Sequence, residues 1–229
     1  MSLTGNPGRF AGLLYLVGSI PGFFALLYVP SKLMVHGNPT ATAHNIAASE
    51  TLYRLGIVAD LAGQTIFIFV ALALYQLLKS VNQRHALLML VLLLVSIPIA
   101  FVNELNSVAA LALARGADFL SQFDEPQRIA LMRLFLSMRG AGFDVAGVFW
   151  GLWLYPLGLL VYRSGFIPRI LGILLMVACF AYLANSFTAL VLPQYEAAVA
   201  RWMSPIQLAE MLFMLWLLIM GARPKALPA

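Results

Sequence analysis

Apolar residues fall into six long runs separated by short polar links. The runs cover 10–29, 55–78, 86–114, 143–161, 170–192 and 206–220. Pro30, Lys79 and Pro193 close three of them, Pro156 lies inside the fourth, and Ser204-Pro205 opens the sixth. A helix rises about 1.5 Å per residue, so roughly 20 apolar residues cross the ~30 Å of hydrocarbon in a bilayer. The pattern predicts an all-α, polytopic membrane bundle of about six transmembrane helices in a single membrane domain, 1–229. The runs are too long for strands of a soluble protein.

A longer connection joins the third and fourth runs. Within it, Asp124, Glu125 and Pro126, with Gln127 three residues after Asp124, have the form of a helix start. They predict an extra amphipathic helix over about 125–139, lying in the interface or leading straight into the fourth span. Gly140 and Gly142 would allow a bend after it.

Composition supports the membrane reading. Of 229 residues, 62% are hydrophobic and only 10% are charged, where a soluble domain carries roughly 25% charged residues. Such a chain has too few charges to cover its apolar surface in water, and lipid is the solvent that fits. The net charge of +5 sits in links and ends, where it signals topology rather than nucleic-acid binding. Membrane lipids are the expected partners, together with a small-molecule or lipid-like ligand. The run after Arg9 is too long for a signal-peptide core and reads as a retained helix.

Six spans put both ends of the chain on one side. That side carries Arg9, Lys79, Arg84, Arg163, Arg169, Arg223 and Lys225 with no acid. The other side carries Lys32, Arg54, Arg115, Arg128, Arg133, Arg139 and Arg201 mixed with acids. Lys/Arg counts tie. The concentration of charge in very short links on the first side makes that side cytoplasmic.

Four acids fall inside or at the edge of the spans: Asp60, Glu104, Asp144 and Glu210. In this topology all four lie in the outer half of the bilayer. Polar companions share their depth: Gln64 after Asp60, Asn103 and Asn106 around Glu104, Arg139 before Asp144, Asn185 late in the fifth span, and Gln207 before Glu210. A charge in hydrocarbon costs at least about 2.5–3.5 kcal/mol. The acids therefore face one another, an arginine such as Arg54 or Arg139, or water. A polar, acid-lined cavity walled by aromatic side chains (Tyr15, Phe23, Trp150, Trp153, Phe180, Tyr182, Phe187 and Trp216) meets that need. The plainer alternative is that the acids snorkel to the interface and cap helix ends, Asp144 above all.

Carboxyl groups crowded into a site of low dielectric hold protons more readily than in water. Such a cavity suits proton-coupled transport, general acid catalysis on a lipid-phase substrate, or the grip of a cationic or polyhydroxyl ligand. Carboxylates are also able to hold a hard divalent cation, although no metal site and no cofactor is assigned. Haem in a bundle needs histidines within the spans, and His36, His44 and His85 all lie in links. No His-Glu-x-x-His or Gly-x-Ser-x-Gly motif occurs. Cys179, the single cysteine, reads as a small buried hydrophobe. Gly8 and Gly12 have a spacing that aids helix packing.

Three stretches carry a resemblance. They are Ser49-Glu50 through Tyr53-Arg54-Leu55-Gly56 to Asp60-Leu61, Gly142-Phe143-Asp144 with Phe149-Trp150-Gly151, and Tyr162-Arg163-Ser164-Gly165-Phe166-Ile167-Pro168-Arg169. With Ser186-Phe187 and Glu210, they make the chain resemble bacterial membrane proteins of the domain-of-unknown-function 4386 family over nearly its full length. The resemblance implies a six-helix membrane protein and brings no established activity. The family often has His where Arg139 stands here, so no imidazole mechanism carries over at that point. The turn from Ser164 to Arg169 reads as a rigid turn that starts a helix.

Three functions fit these residues. The leading one is a binding or transport protein whose ligand meets Asp60, Glu104, Asp144 and Glu210. The second is a small membrane enzyme using Glu104, Glu210 or Asp60 as general acid or base on a lipid or isoprenoid. The third is a structural or partner-binding subunit.

Overall fold

The computed structural model describes residues 5–223, so Lys225 lies outside the described residues. Helix α1 (Pro7–Phe23) continues through one π-helical turn (Phe24–Tyr28) into α2 (Val29–Leu33). Next come α3 (Pro39–Ala48), α4 (Glu50–Leu78), α5 (Gln83–Arg115), α6 (Glu125–Leu152) and α7 (Leu154–Ser164). The last three are α8 (Arg169–Val191), α9 (Glu196–Gln207) and α10 (Ala209–Met220). Among the described residues there is no strand.

Six helical stretches are long and apolar enough to cross a membrane: Pro7–Leu33, Glu50–Leu78, Gln83–Arg115, Glu125–Ser164, Arg169–Val191 and Pro193–Met220. The chain is a multi-pass membrane protein built as a helical bundle. The helices outrun the apolar runs because polar ends extend the same hydrogen-bonded ladder past the hydrocarbon. At 33 residues, α5 is roughly 50 Å long.

Three local features sharpen the sequence reading. The segment 125–139 takes the second of its two expected forms and leads straight into the fourth span: α6 runs from Glu125 without interruption to Leu152, so Gly140 and Gly142 mark no break. The regular helix is interrupted instead at Trp153, three residues before Pro156, because a proline lacks the donor for the residue four back and its ring crowds that carbonyl. The sixth span starts earlier than its apolar run. Helix α9 precedes it, with Pro205 in the last turn of α9 and a three-residue Leu208 N to Pro205 O bond of 3.3 Å at the join with α10. A further helix, α3, occupies the polar segment after the first span. Pro39 opens it and the Asn38 side chain accepts from Ala41 N at 2.9 Å.

The described chain forms two compact units. One contains the chain up to Gly18, Thr65–Pro98, and everything from Asp144 on. Its core is apolar, with Trp153, Phe213, Leu74 and Met89 almost fully buried. Glycines bring helices close there: a Cβ on Gly12 would stand 2.5 Å from Leu218 N, and one on Gly172 would stand 2.6 Å from Gly158 O. Gly8 likewise meets Ala222, so the Gly8–Gly12 spacing does seat a helix. The link from α7 to α8 is a rigid turn. Gly165 takes φ +70° at the end of α7, and Ser164 Oγ donates to Val161 O at 2.8 Å and accepts from Ile167 N at 3.2 Å.

The other unit contains Ser19–Gln64 and Ile99–Phe143. Its apolar core gathers Val29, Leu33, Ile46, Tyr53, Ala110 and Met132. The same unit buries a group of polar side chains.

Candidate functional site

Helix α4 presents Tyr53, Gly56 and Asp60 on one buried face, spaced three and four residues apart as a helical face requires. Helix α5 presents Asn103, Glu104 and Ser107 in the same way. Helix α6 supplies Arg139. Asp60 and Glu104 are only 2% and 3% exposed, the degree of burial at which an ionisable side chain needs a partner.

Glu104 has its partner. Arg139 donates from Nη2 at 2.9 Å and from Nε at 3.2 Å, both to Glu104 Oε1. The Phe143 ring lies under the guanidinium at 4.6 Å, one helical turn further along α6. Asn103 fixes the approach of α5 to α6: its Nδ2 donates to the Arg139 carbonyl at 2.9 Å, and its Oδ1 accepts from Asn106 Nδ2 at 3.1 Å. Gly142 makes room for that asparagine, since a Cβ there would collide with the Asn103 amide.

Asp60 completes the group. Its carboxyl lies beside Glu104 and Gln64, with Arg139 as the further charged group acting on it. Tyr53 lies beside Ser107, Arg139 and Glu104. Arg139 thus forms its ion pair with Glu104, and Asp60 sits beside that pair. Asp60 Oδ2, Glu104 Oε2 and Ser107 Oγ are buried with no hydrogen-bond partner among the described residues. Arg54 does not join them, because it pairs with Glu50 at 2.6 Å, and Glu50 also accepts from Arg115 at 2.9 Å.

Among the cavities of this unit, two adjoin one another. A small chamber of about 30 Å³ is bounded by Tyr53, Ser107 and Arg139 on its polar side and by Val29, Met34 and Leu136 on its apolar side. A larger vestibule of about 240 Å³ is bounded by Met34, His36, Asn38, Thr42, Arg133 and Leu136. Met34 and Leu136 are walls of both.

The remaining site candidates belong to the other unit. Glu210 stands in the first turn of α10 and accepts from the Tyr15 hydroxyl at 2.7 Å, with Tyr182 as a second side-chain partner. The Tyr15 ring is buried against Phe67 and Trp153, at centroid distances of 5.3 and 6.3 Å. Asp144 is half-buried, with Glu196 as the charged group facing it. Asn185 keeps its Oδ1 buried without a partner among the described residues, and Gln207 ends α9, half-buried. Phe23, Phe180 and Phe187 turn outward and are 48%, 62% and 56% exposed, so they wall no interior space.

Sequence reasoning did not single out Tyr53 as a site residue or the tyrosine pairing of Glu210. The three- and four-residue steps from Tyr53 to Gly56 to Asp60 were the available signal for the first. Nothing local in sequence joins Tyr15 to Glu210. Among the described residues no three His, Cys, Asp or Glu side chains gather as a metal site.

The family model described as "Domain of unknown function (DUF4386)" matches residues 10–221. The chain belongs to this family. It is also similar to an uncharacterized protein of Archaeoglobus fulgidus, with 32% identity over 80 residues. That alignment covers 35% of this chain and 46% of the relative, so the chain spans about half the length of the curated relative it matches. No solved structure matches.

Proposed function

We propose that this protein is a binding or transport-type membrane protein and that the Asp60–Glu104–Arg139 group is its ligand-contacting centre. The carrying observation is the pair of buried carboxyl oxygens, Asp60 Oδ2 and Glu104 Oε2, that have no donor among the described residues. A buried acceptor without a donor costs about 1–3 kcal/mol, and a ligand bringing N–H or O–H donors removes that cost. Gln64 lies beside Asp60, and with Asn103, Asn106 and Ser107 it would orient a small cationic, polyhydroxyl or lipid-like molecule. The proposed centre is confined to one unit. Asp144, Asn185, Gln207 and Glu210 belong to the other, where Glu210 has its own tyrosine donors.

The test is a thermal-shift screen of purified protein against small amines, polyols and membrane lipids. A stabilising compound whose effect is lost in Asp60→Asn and Glu104→Gln, both still folded, supports the centre. Unchanged stabilisation in both variants removes it. We further propose the cytoplasmic membrane as the location, with both ends of the chain cytoplasmic, from the charged short links at Lys79–Arg84 and Arg163–Arg169. A C-terminal reporter active only outside the cytoplasm reverses that orientation.

A further inference from the structure

The two cavities have a shared sign. Neither lining contains a carboxylate. The vestibule carries Arg133 and His36, the chamber carries Arg139, and the other polar groups are the hydroxyls and amide of Thr42, Asn38, Tyr53 and Ser107. Met132, Arg133, Leu136 and Arg139 recur at the spacing of one broad helical face. Arg133 and Arg139 are therefore about 9 Å apart along the axis of α6. The arginines differ in their commitments. Arg139 holds Glu104, Arg54 and Arg115 share Glu50, and Arg133 has no ion-pair partner among the described residues. The loop opposite Arg133 is held in shape: Thr42 Oγ accepts from Val35 N at 2.9 Å and donates to Asn38 O at 3.1 Å. The positive end of α3 opens into the same space, adding to the field that Arg133 already makes there.

We propose that this vestibule binds a net-negative headgroup, a phosphate or carboxylate carried on a membrane lipid or on a small solute, with Arg133 as its main donor and His36 as the second. Met34, Met132 and Leu136 form the apolar floor, so the pocket receives an anion with hydrocarbon attached. An arginine suits this role because its planar fork donates two parallel bonds to one oxyanion. The site is distinct from the carboxyl-centred one proposed above and fails separately, because Arg133 takes no part in the Glu104 pair.

Native mass spectrometry of the full chain tests it, with phosphatidylglycerol and phosphatidylcholine offered in equal amounts. The wild type should retain phosphatidylglycerol in preference by about fivefold, the scale of one partly exposed ion pair. Arg133→Gln should bring the two lipids to parity, and His36→Gln should lower the preference partway. Arg201→Gln, on exposed α9, should leave it intact. Inorganic phosphate at millimolar concentration separates the two sources. Competition assigns recognition to the anion alone, and failure to compete assigns it to the lipid as a whole. Equal retention by the wild type, or an unchanged preference in both Arg133→Gln and His36→Gln, overturns the proposal.

Discussion

Arg139 directs two nitrogens at a single oxygen of Glu104, Oε1, and leaves the other oxygen, Oε2, buried without a donor among the described residues. A bidentate fork-to-fork pair would instead engage both carboxylate oxygens. The one-sided grip leaves Oε2 without a donor among the described residues, in a carboxyl that lies beside Asp60.

Removing one partner of a buried ion pair strands the other charge, at a cost of about 3–5 kcal/mol. Arg139→Gln should therefore lower the thermal unfolding midpoint sharply. Arg54→Gln breaks a pair whose side chains are 54% and 30% exposed and should cost no more than about 1 kcal/mol. Unfolding of both variants in one detergent compares them directly, and equal losses would contradict the burial argument.

Gly142 and Asn103 occupy one another's space. Gly142→Ala should push the Asn103 amide off the Arg139 carbonyl and destabilise the protein by roughly 1–3 kcal/mol, the range for an unmet buried polar group or a forced repacking. In the double variant Gly142→Ala with Asn103→Ala, the clash is gone. Its loss should be smaller than the sum of the two single losses. Strict additivity would show that the two side chains do not compete.

Tyr15→Phe should destabilise the other unit by about 1–3 kcal/mol, because the phenyl ring keeps the packing and deletes the donor to Glu210. Glu210→Gln should cost less, since an amide oxygen still accepts from Tyr15. Denaturant titration of the two variants gives the order, and the reverse order would mean that charge rather than the tyrosine donor matters at Glu210.

Gly165→Ala should cost about 1 kcal/mol or slightly more, because φ of +70° carries a steric penalty for any residue with a Cβ. Asn at the same position should recover part of the loss. A silent Gly165→Ala would show that the turn relaxes without harm.

The spans were legible because lipid leaves the sequence little choice: every long apolar run became helix. Element ends were less legible. The 125–139 segment left two forms open because its arginines interrupt the apolar pattern; backbone hydrogen bonding does not stop at an arginine, and α6 passes straight through. Helix α3 was hidden in a short polar stretch with no apolar period to reveal it. At the candidate site, Glu104 and Arg139 stood out as charges too costly to leave alone, and Asn103 as their polar companion. What sequence could not give was the pairing. Glu104 lies 35 residues from Arg139 and Tyr15 lies 195 from Glu210, and no local rule joins positions so distant. The acids read as one set by depth fall into two units with different partners.

The π-helical turn at Phe24–Tyr28 acts as a phase adjuster. An ordinary helix advances about 100° per residue, so one surplus residue in a turn rotates everything after it by that amount. Val29, Pro30 and Met34, which follow the surplus, form one wall of the chamber beside Arg139. Deleting a single residue from that turn would swing the wall aside and leave each of those residues with its chemistry unchanged. The clearance next to the arginine is therefore set by a residue count in the first span as much as by the side chains that line it.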